Sequence, residues 1–164
     1  MTGKSFVAPW QGGFGTTLTW KGISLAAQFS WVADRWVFNN DRYLDEGNGL
    51  FETYNQSSRL LYDRWKKPGD VTDIPRYGVT PQMDSRFLED ASFLRLKNLM
   101  LSYNFPQTLL KKTNFLTHLR VFAQGQNLLT FTKFSGLDPE GVSNMYQAQY
   151  PSTRQFTFGL EVSF

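Results

Sequence analysis

The chain has 164 residues, enough for one domain with a core of its own. Its net charge of +3 is mild, and paired lysines such as Lys66-Lys67 and Lys111-Lys112 stand isolated, so no cationic stripe for nucleic acid forms. With no cysteine, structural disulfides and thiolate metal sites are excluded, and no run approaches the roughly 20 apolar residues of a spanning helix.

Aromatic residues make up 16% of a chain whose mean hydropathy is −0.38. Rings that dense in a polar average suit alternating strands, either in a barrel half turned to lipid or in a soluble β-sandwich. The opening "MTGKSFVAPWQGG" has one lysine and no apolar stretch, so it is no signal peptide. Residues 1–13 are read as an N-terminal segment at a fragment boundary, and an outer-membrane protein would need a longer precursor. Gly3-Lys4-Ser5 lacks the first glycine and the preceding strand of a P-loop.

Alternation then sets the strands. Phe14, Leu18 and Trp20 share a face, and Lys21-Gly22 supplies a tight turn. Ile23, Leu25, Ala27, Phe29, Trp31 and Ala33 follow on one face, with Trp31 and Trp36 expected far along that same strand. From about 39 to 90 the pattern lapses for roughly fifty residues, far beyond an ordinary loop. A short helix is expected over Phe51 to Trp65, and "KKPGDVTDIPRYGVTPQMDS" reads as irregular loop.

Leu94 and Leu96 lie on one face, and Leu99, Leu101 and Tyr103 on the other, unless a bulge near Lys97-Asn98 unites them. Leu119, Val121 and Ala123 alternate with His118, Arg120, Gln124 and Gln126. A second long connection, about 133–152, leads to a last strand of 12 residues from Thr153. Five strands result, too few to close a wide barrel. The long connections (39–90, 133–152) fall at one end and the short ones at the other, as in outer-membrane barrels with short periplasmic turns and long extracellular loops. Phe156, Phe158, Leu160, Val162 and Phe164 would then face lipid; packing on a soluble core is the alternative.

Few residues suggest chemistry. Asp41, Asp45 and Glu46 could offer oxygen to calcium but lack the alternate-position acids of an EF-hand loop, and a solvated loop is the simpler reading. Glu89-Asp90 marks a strand boundary, because neighbours on a strand point to opposite faces. Asn55-Gln56-Ser57 fits a glycosylation acceptor by rule alone. His118 is the single histidine, with no acid near it in sequence. No metal site, no cofactor and no enzyme is expected. In the long connection, Tyr54, Tyr62, Trp65 and Tyr77 are candidates to stack on sugar rings or peptide side chains, with packing of the loop on itself as the alternative.

Three stretches, "SFLRLKNLMLSYNFP", "LRVFAQGQNLLTFTKFSGLDPE" and "YPSTRQFTFGLEVSF", resemble the C-terminal end of the SusC/RagA family of TonB-dependent outer-membrane transporters of Bacteroidetes-type bacteria. "PWQGGFGTTLTWKGISLAAQFSW" and "RWKKPGDVTDIPR" resemble the preceding strands and loop, so residues 14–164 are read as the C-terminal part of that barrel. The resemblance implies an all-β antiparallel meander within a barrel of about 22 strands filled by a plug. It further implies uptake of glycans or peptides, a SusD-like surface lipoprotein as partner, outer-membrane lipid around the wall, and energy from the TonB complex through an N-terminal part not present in this chain. The terminal aromatic and the apolar places before it, Phe156 to Phe164, resemble the signal strand read by the barrel-assembly machinery. Two other readings stay open: a soluble β-sandwich module binding carbohydrate, and a non-functional remnant of a truncated gene.

Overall fold

A computed structural model describes residues 2–51, 53–111, 115–141 and 143–164. Met1, Glu52 and Lys112, all touched by the expectations above, lie outside the described residues. Two compact units emerge, one of residues 10–33, 93–132 and 151–164, the other of 2–9, 34–92 and 133–150.

The first unit is an open, five-stranded antiparallel sheet in the order β1 (Trp10–Trp20), β2 (Ile23–Ala33), β5 (Phe93–Asn104), β6 (His118–Thr132) and β8 (Gln155–Ser163). It is the meander expected from alternation. Lys21 and Gly22 adopt φ of 46° and 87°, which closes a two-residue hairpin between Trp20 and its partner Ile23. Positive φ at both central positions gives the turn the twist of its strands.

The bulge falls where it was expected. Gln28 pairs with Asn98 and Phe29 with Leu96, so Lys97 is the extra residue. Opposite it, β6 shifts register between Gln126 and Leu129, with Asn127 at φ 53°. The two shifts bring Leu94, Leu96, Leu99, Leu101 and Tyr103 to one face, paired with Trp31, Phe29, Ala27, Leu25 and Ile23. That face continues through Val121, Ala123, Leu129 and Phe131 of β6 and through the apolar places of β8.

Strand β8 is shorter than expected. Its ladder covers Gln155–Ser163, nine residues, because pairing stops at Gln126 where the β6 bulge begins. Thr153 meets β6 through its carbonyl, which accepts from Asn127 Nδ2 at 3.1 Å. Nine residues still fall within the roughly 9–11 of a membrane-spanning strand. Phe164 lies beyond the ladder and stacks on Phe115, with ring centroids 5.9 Å apart.

The second unit is more ordered than a pair of long loops. A small sheet of order β4 (Leu88–Asp90), β3 (Trp36–Asn39) and β7 (Met145–Tyr146) joins the two connections, with β3 and β7 parallel. Val37, Ala91, Phe134 and Tyr146 form its core, with Phe6 packed against them. Rings from Phe38, Phe87, Tyr43, Phe51 and Tyr54 meet in series nearby. Trp36 belongs to β3, not to the β2 strand: Asp34 at φ 58° ends β2, and Trp36 Nε1 donates to Asp34 Oδ1 at 2.9 Å. The helix expected over Phe51 to Trp65 shrinks to α2 (Arg59–Tyr62), after turns at Phe51 and Thr53 and a coil through 55–57. In place of a solvated loop at residues 40–45 stands α1 (Asn40–Asp45), capped by Asn39, whose Oδ1 accepts from Arg42 N at 3.0 Å.

Candidate functional site

The sheet offers two chemically opposite faces. On one, the apolar side chains of β8 stand exposed, from 40% at Val162 to 78% at Phe158. Phe14 stacks on Phe29 at 4.9 Å, while Trp10 and Trp20 stand exposed at the two ends of β1. The other face carries hydroxyls, amides and charge. Thr19 and Ser24 hydroxyls meet at 3.0 Å, and Arg120 reaches Glu161 at 3.4 Å and the Ser102 hydroxyl at 3.4 Å. Phe122 is the ring among these polar groups, and it lies over Gly159, where a Cβ would sit 2.3 Å from the ring's Cζ.

In the second unit, the chemistry gathers around two arginines. Arg42 pairs with Glu46 at 3.0 Å, Asp73 at 2.6 Å and Glu89 at 3.3 Å. Arg59 pairs with the same Glu46 oxygen at 2.5 Å, with Asp73 at 2.7 Å and with Asp63 at 3.3 Å. Burial alone would lower the Arg42 pKa, but Glu46, Glu89 and Asp73 outweigh it and leave it raised. Burial likewise favours a neutral Asp73, yet the guanidiniums of Arg59 and Arg42 hold its carboxyl below the usual range. Asp45 moves the other way: burial, then Asp41 and Glu46, push it up.

Of these groups, Arg42, Asp45, Glu46 and Arg59 border an open basin of about 990 Å³ that also takes in Asp41, Tyr54 and Tyr146. Asp41 accepts the backbone N–H of Ala148 at 2.9 Å, and Tyr146 accepts that of Leu137 at 2.9 Å. Of the acidic trio, Asp41 therefore serves a backbone N–H and Glu46 serves the two arginines. Among the described residues no three acidic or histidine side chains gather to hold a metal ion. Glu89 and Asp90 take opposite roles on β4, Glu89 receiving the Ser135 N–H and hydroxyl, and Asp90 the Ser92 N–H.

The four loop aromatics are spread out. Tyr54 lines the basin, and Trp65 lines a separate groove of about 470 Å³ with Pro75 and Pro81. Tyr77 lies under the Arg64 guanidinium, 5.1 Å from ring centre, and Tyr62 is exposed. The arginine network escaped sequence reasoning because its partners lie up to 47 residues apart; its local traces were the spacings of four in Arg42–Glu46 and Arg59–Asp63.

No family model matches the sequence. TonB-dependent receptor P3 of Formosa agariphila is 33% identical over 93% of this chain and 16% of its own length. The TonB-dependent receptor SusC of Bacteroides thetaiotaomicron is 37% identical over 53% of this chain and 9% of its own. Among solved structures, the RagAB peptide importer in its "open-open" state superposes with a TM-score of 0.90, at 42% identity, over 98% of this chain and 18% of that one. The chain thus spans about a sixth of the curated relatives it matches over most of its length. Similar in sequence to these receptors and in fold to the RagAB importer, it belongs to the SusC/RagA family of TonB-dependent receptors, as a segment of their β-barrel.

Proposed function

We propose that this chain supplies part of the wall and the outer loops of an outer-membrane importer of peptides or glycans, energised through TonB. The observation that carries the reading is the single apolar face running across all five strands, exposed on β8 and backed by a polar face with the Arg120–Glu161 pair. A soluble sandwich would bury that face against a second sheet; a barrel wall turns it to lipid and its polar side to the lumen. The open edges at β1 and β8 belong to the same reading, since a long apolar edge strand needs neighbours.

The unit built from the two long connections stands at the cell exterior in this account, where it would meet a SusD-like lipoprotein and the substrate. Tyr54, Tyr62, Trp65 and Tyr77 are its candidate substrate contacts. The β8 places Phe156, Phe158, Leu160, Val162 and the terminal Phe164 serve assembly, as the strand handed to the barrel-assembly machinery. Cell fractionation tests the whole reading: the full-length parent should sediment with the outer membrane and import labelled peptide or glycan only in cells with working TonB. A parent recovered as a stable monomer in buffer without detergent contradicts it.

A further inference from the structure

The basin of the second unit holds more negative charge than its arginines answer. Arg42 and Arg59 are shared among the carboxylates of Glu46, Asp63, Asp73 and Glu89. Arg86, the next guanidinium, donates to the backbone carbonyl of Asp73 at 2.7 Å. Asp41 and Asp45 add two further acids on α1, and neither meets a cationic side chain among the described residues. Against a chain whose net charge is +3, this is a local reversal of sign.

A second observation points the same way. Glu46 is 2% exposed and lines the basin, and both arginines bind its Oε1. Its Oε2 is buried with no hydrogen-bond partner among the described residues. A buried carboxylate oxygen left bare is costly, and folded proteins rarely keep one without a use. The spacing of the acids does not suit a metal ion. An ammonium or guanidinium needs no fixed ligand polyhedron, and it brings several donors on one charge. Tyr54, exposed and lining the same basin, adds a ring face of the kind that attracts organic cations.

We propose that the basin bordered by Asp41, Asp45 and Glu46 binds a cationic group of the imported molecule, a peptide α-ammonium or a lysine or arginine head. This rests on the import reading and narrows its substrate to basic peptides. The site selects by charge: negative field draws the cation in, and desolvation by the basin strengthens the pairing.

The test uses the purified full-length parent in detergent and four probes: a fluorescent tetralysine peptide, its fully acetylated form, a tetraglutamate peptide and a neutral gluco-oligosaccharide. Tetralysine should bind tightest, and Asp45→Asn should weaken it about fivefold, a single exposed charge pair's worth, without touching the other probes. Glu46→Gln should weaken it further; Asp45→Asn, at an exposed position, keeps the test sound where Glu46→Gln disturbs folding. Equal binding of tetralysine and its acetylated form, or indifference to Asp45→Asn, overturns the proposal, as does preference for the oligosaccharide. Uptake by the same cells separates the two readings. Uptake lost with charge-selective binding intact contradicts import alone; uptake intact with binding blind to Asp45→Asn contradicts the basin alone.

Discussion

The two units of this chain are held by different physics. The sheet is stabilised by ladders between neighbours and leaves its largest side chains bare: Phe156, Phe158 and Leu160 are exposed, and the apolar face of β8 has no core beneath it. The second unit buries Phe87, Phe134 and Tyr146 and fixes its loops with ions, with Phe87 wholly enclosed and Arg42 tied to three carboxylates. One region defers its stability to a surrounding it does not contain, whereas the other carries its own. A barrel wall and a binding loop have those contrasting needs.

That contrast can be broken in four places. The largest effect is expected from Leu99→Arg, at mid-strand on the apolar face beside Ala27, Gly125 and, one strand on, Phe156. A charge facing lipid near the midplane costs about 2–4 kcal/mol, so folded parent in the outer membrane should fall sharply by heat-modifiability on gels. The equivalent change on the polar face, Gln124→Arg, should be tolerated. Next comes Arg42→Met, which leaves Glu46 and Glu89 short of a partner in the other unit. A loss of about 2–3 kcal/mol is expected, discounted from a fully buried pair because Arg42 is partly exposed. Hydrogen exchange should quicken over residues 40–62 and stay unchanged in β5 and β6.

A smaller effect belongs to the sheet's polar face. Gly159→Ala drives a Cβ into the Phe122 ring and should cost about 1 kcal/mol, read from the denaturation midpoint. Phe122→Ala in the same chain should remove most of that penalty, because the two positions are direct partners. The smallest effect is a pH dependence of the second unit. The folded pKa of Asp73 is depressed by Arg59 and Arg42 against the pull of burial. Its stabilisation is therefore complete above the ordinary carboxylate value of about 3.9 and fades as pH falls below that through the depressed value. Exchange protection around Asp73 should drop across that acid window, and Asp73→Asn should remove the dependence.

The same contrast explains which parts could be read from sequence. Every strand of the large sheet is written as alternation, and so are Lys21-Gly22 and the bulge at Lys97, because these are local rules with a period of two. The length of β8 was not, since it depends on where Asn127 interrupts a different strand. In the second unit, little is local. Strand β3 is four residues long and finds β7 more than a hundred residues later, so neither has a pattern to show. The stretch from Phe51 to Trp65 suggests a short helix, but among its described residues the turns and coil ahead of Ser58 leave Arg59–Tyr62 as the helical part. Asp41, Asp45 and Glu46 were visible; the pairing of Glu46 with Arg59 and the basin the three acids share were not.

Single cysteines placed along β8 of the full-length parent in lipid bilayers, each carrying a nitroxide, test the central claim most directly, and this chain brings no cysteine of its own. Labels at 156, 158, 160 and 162 should collide with oxygen dissolved in the bilayer, and labels at 157, 159, 161 and 163 with a water-soluble nickel chelate, in a strict period of two. A flat profile, or one with nickel favouring the Phe156 and Phe158 positions, would contradict the assignment of this face to lipid.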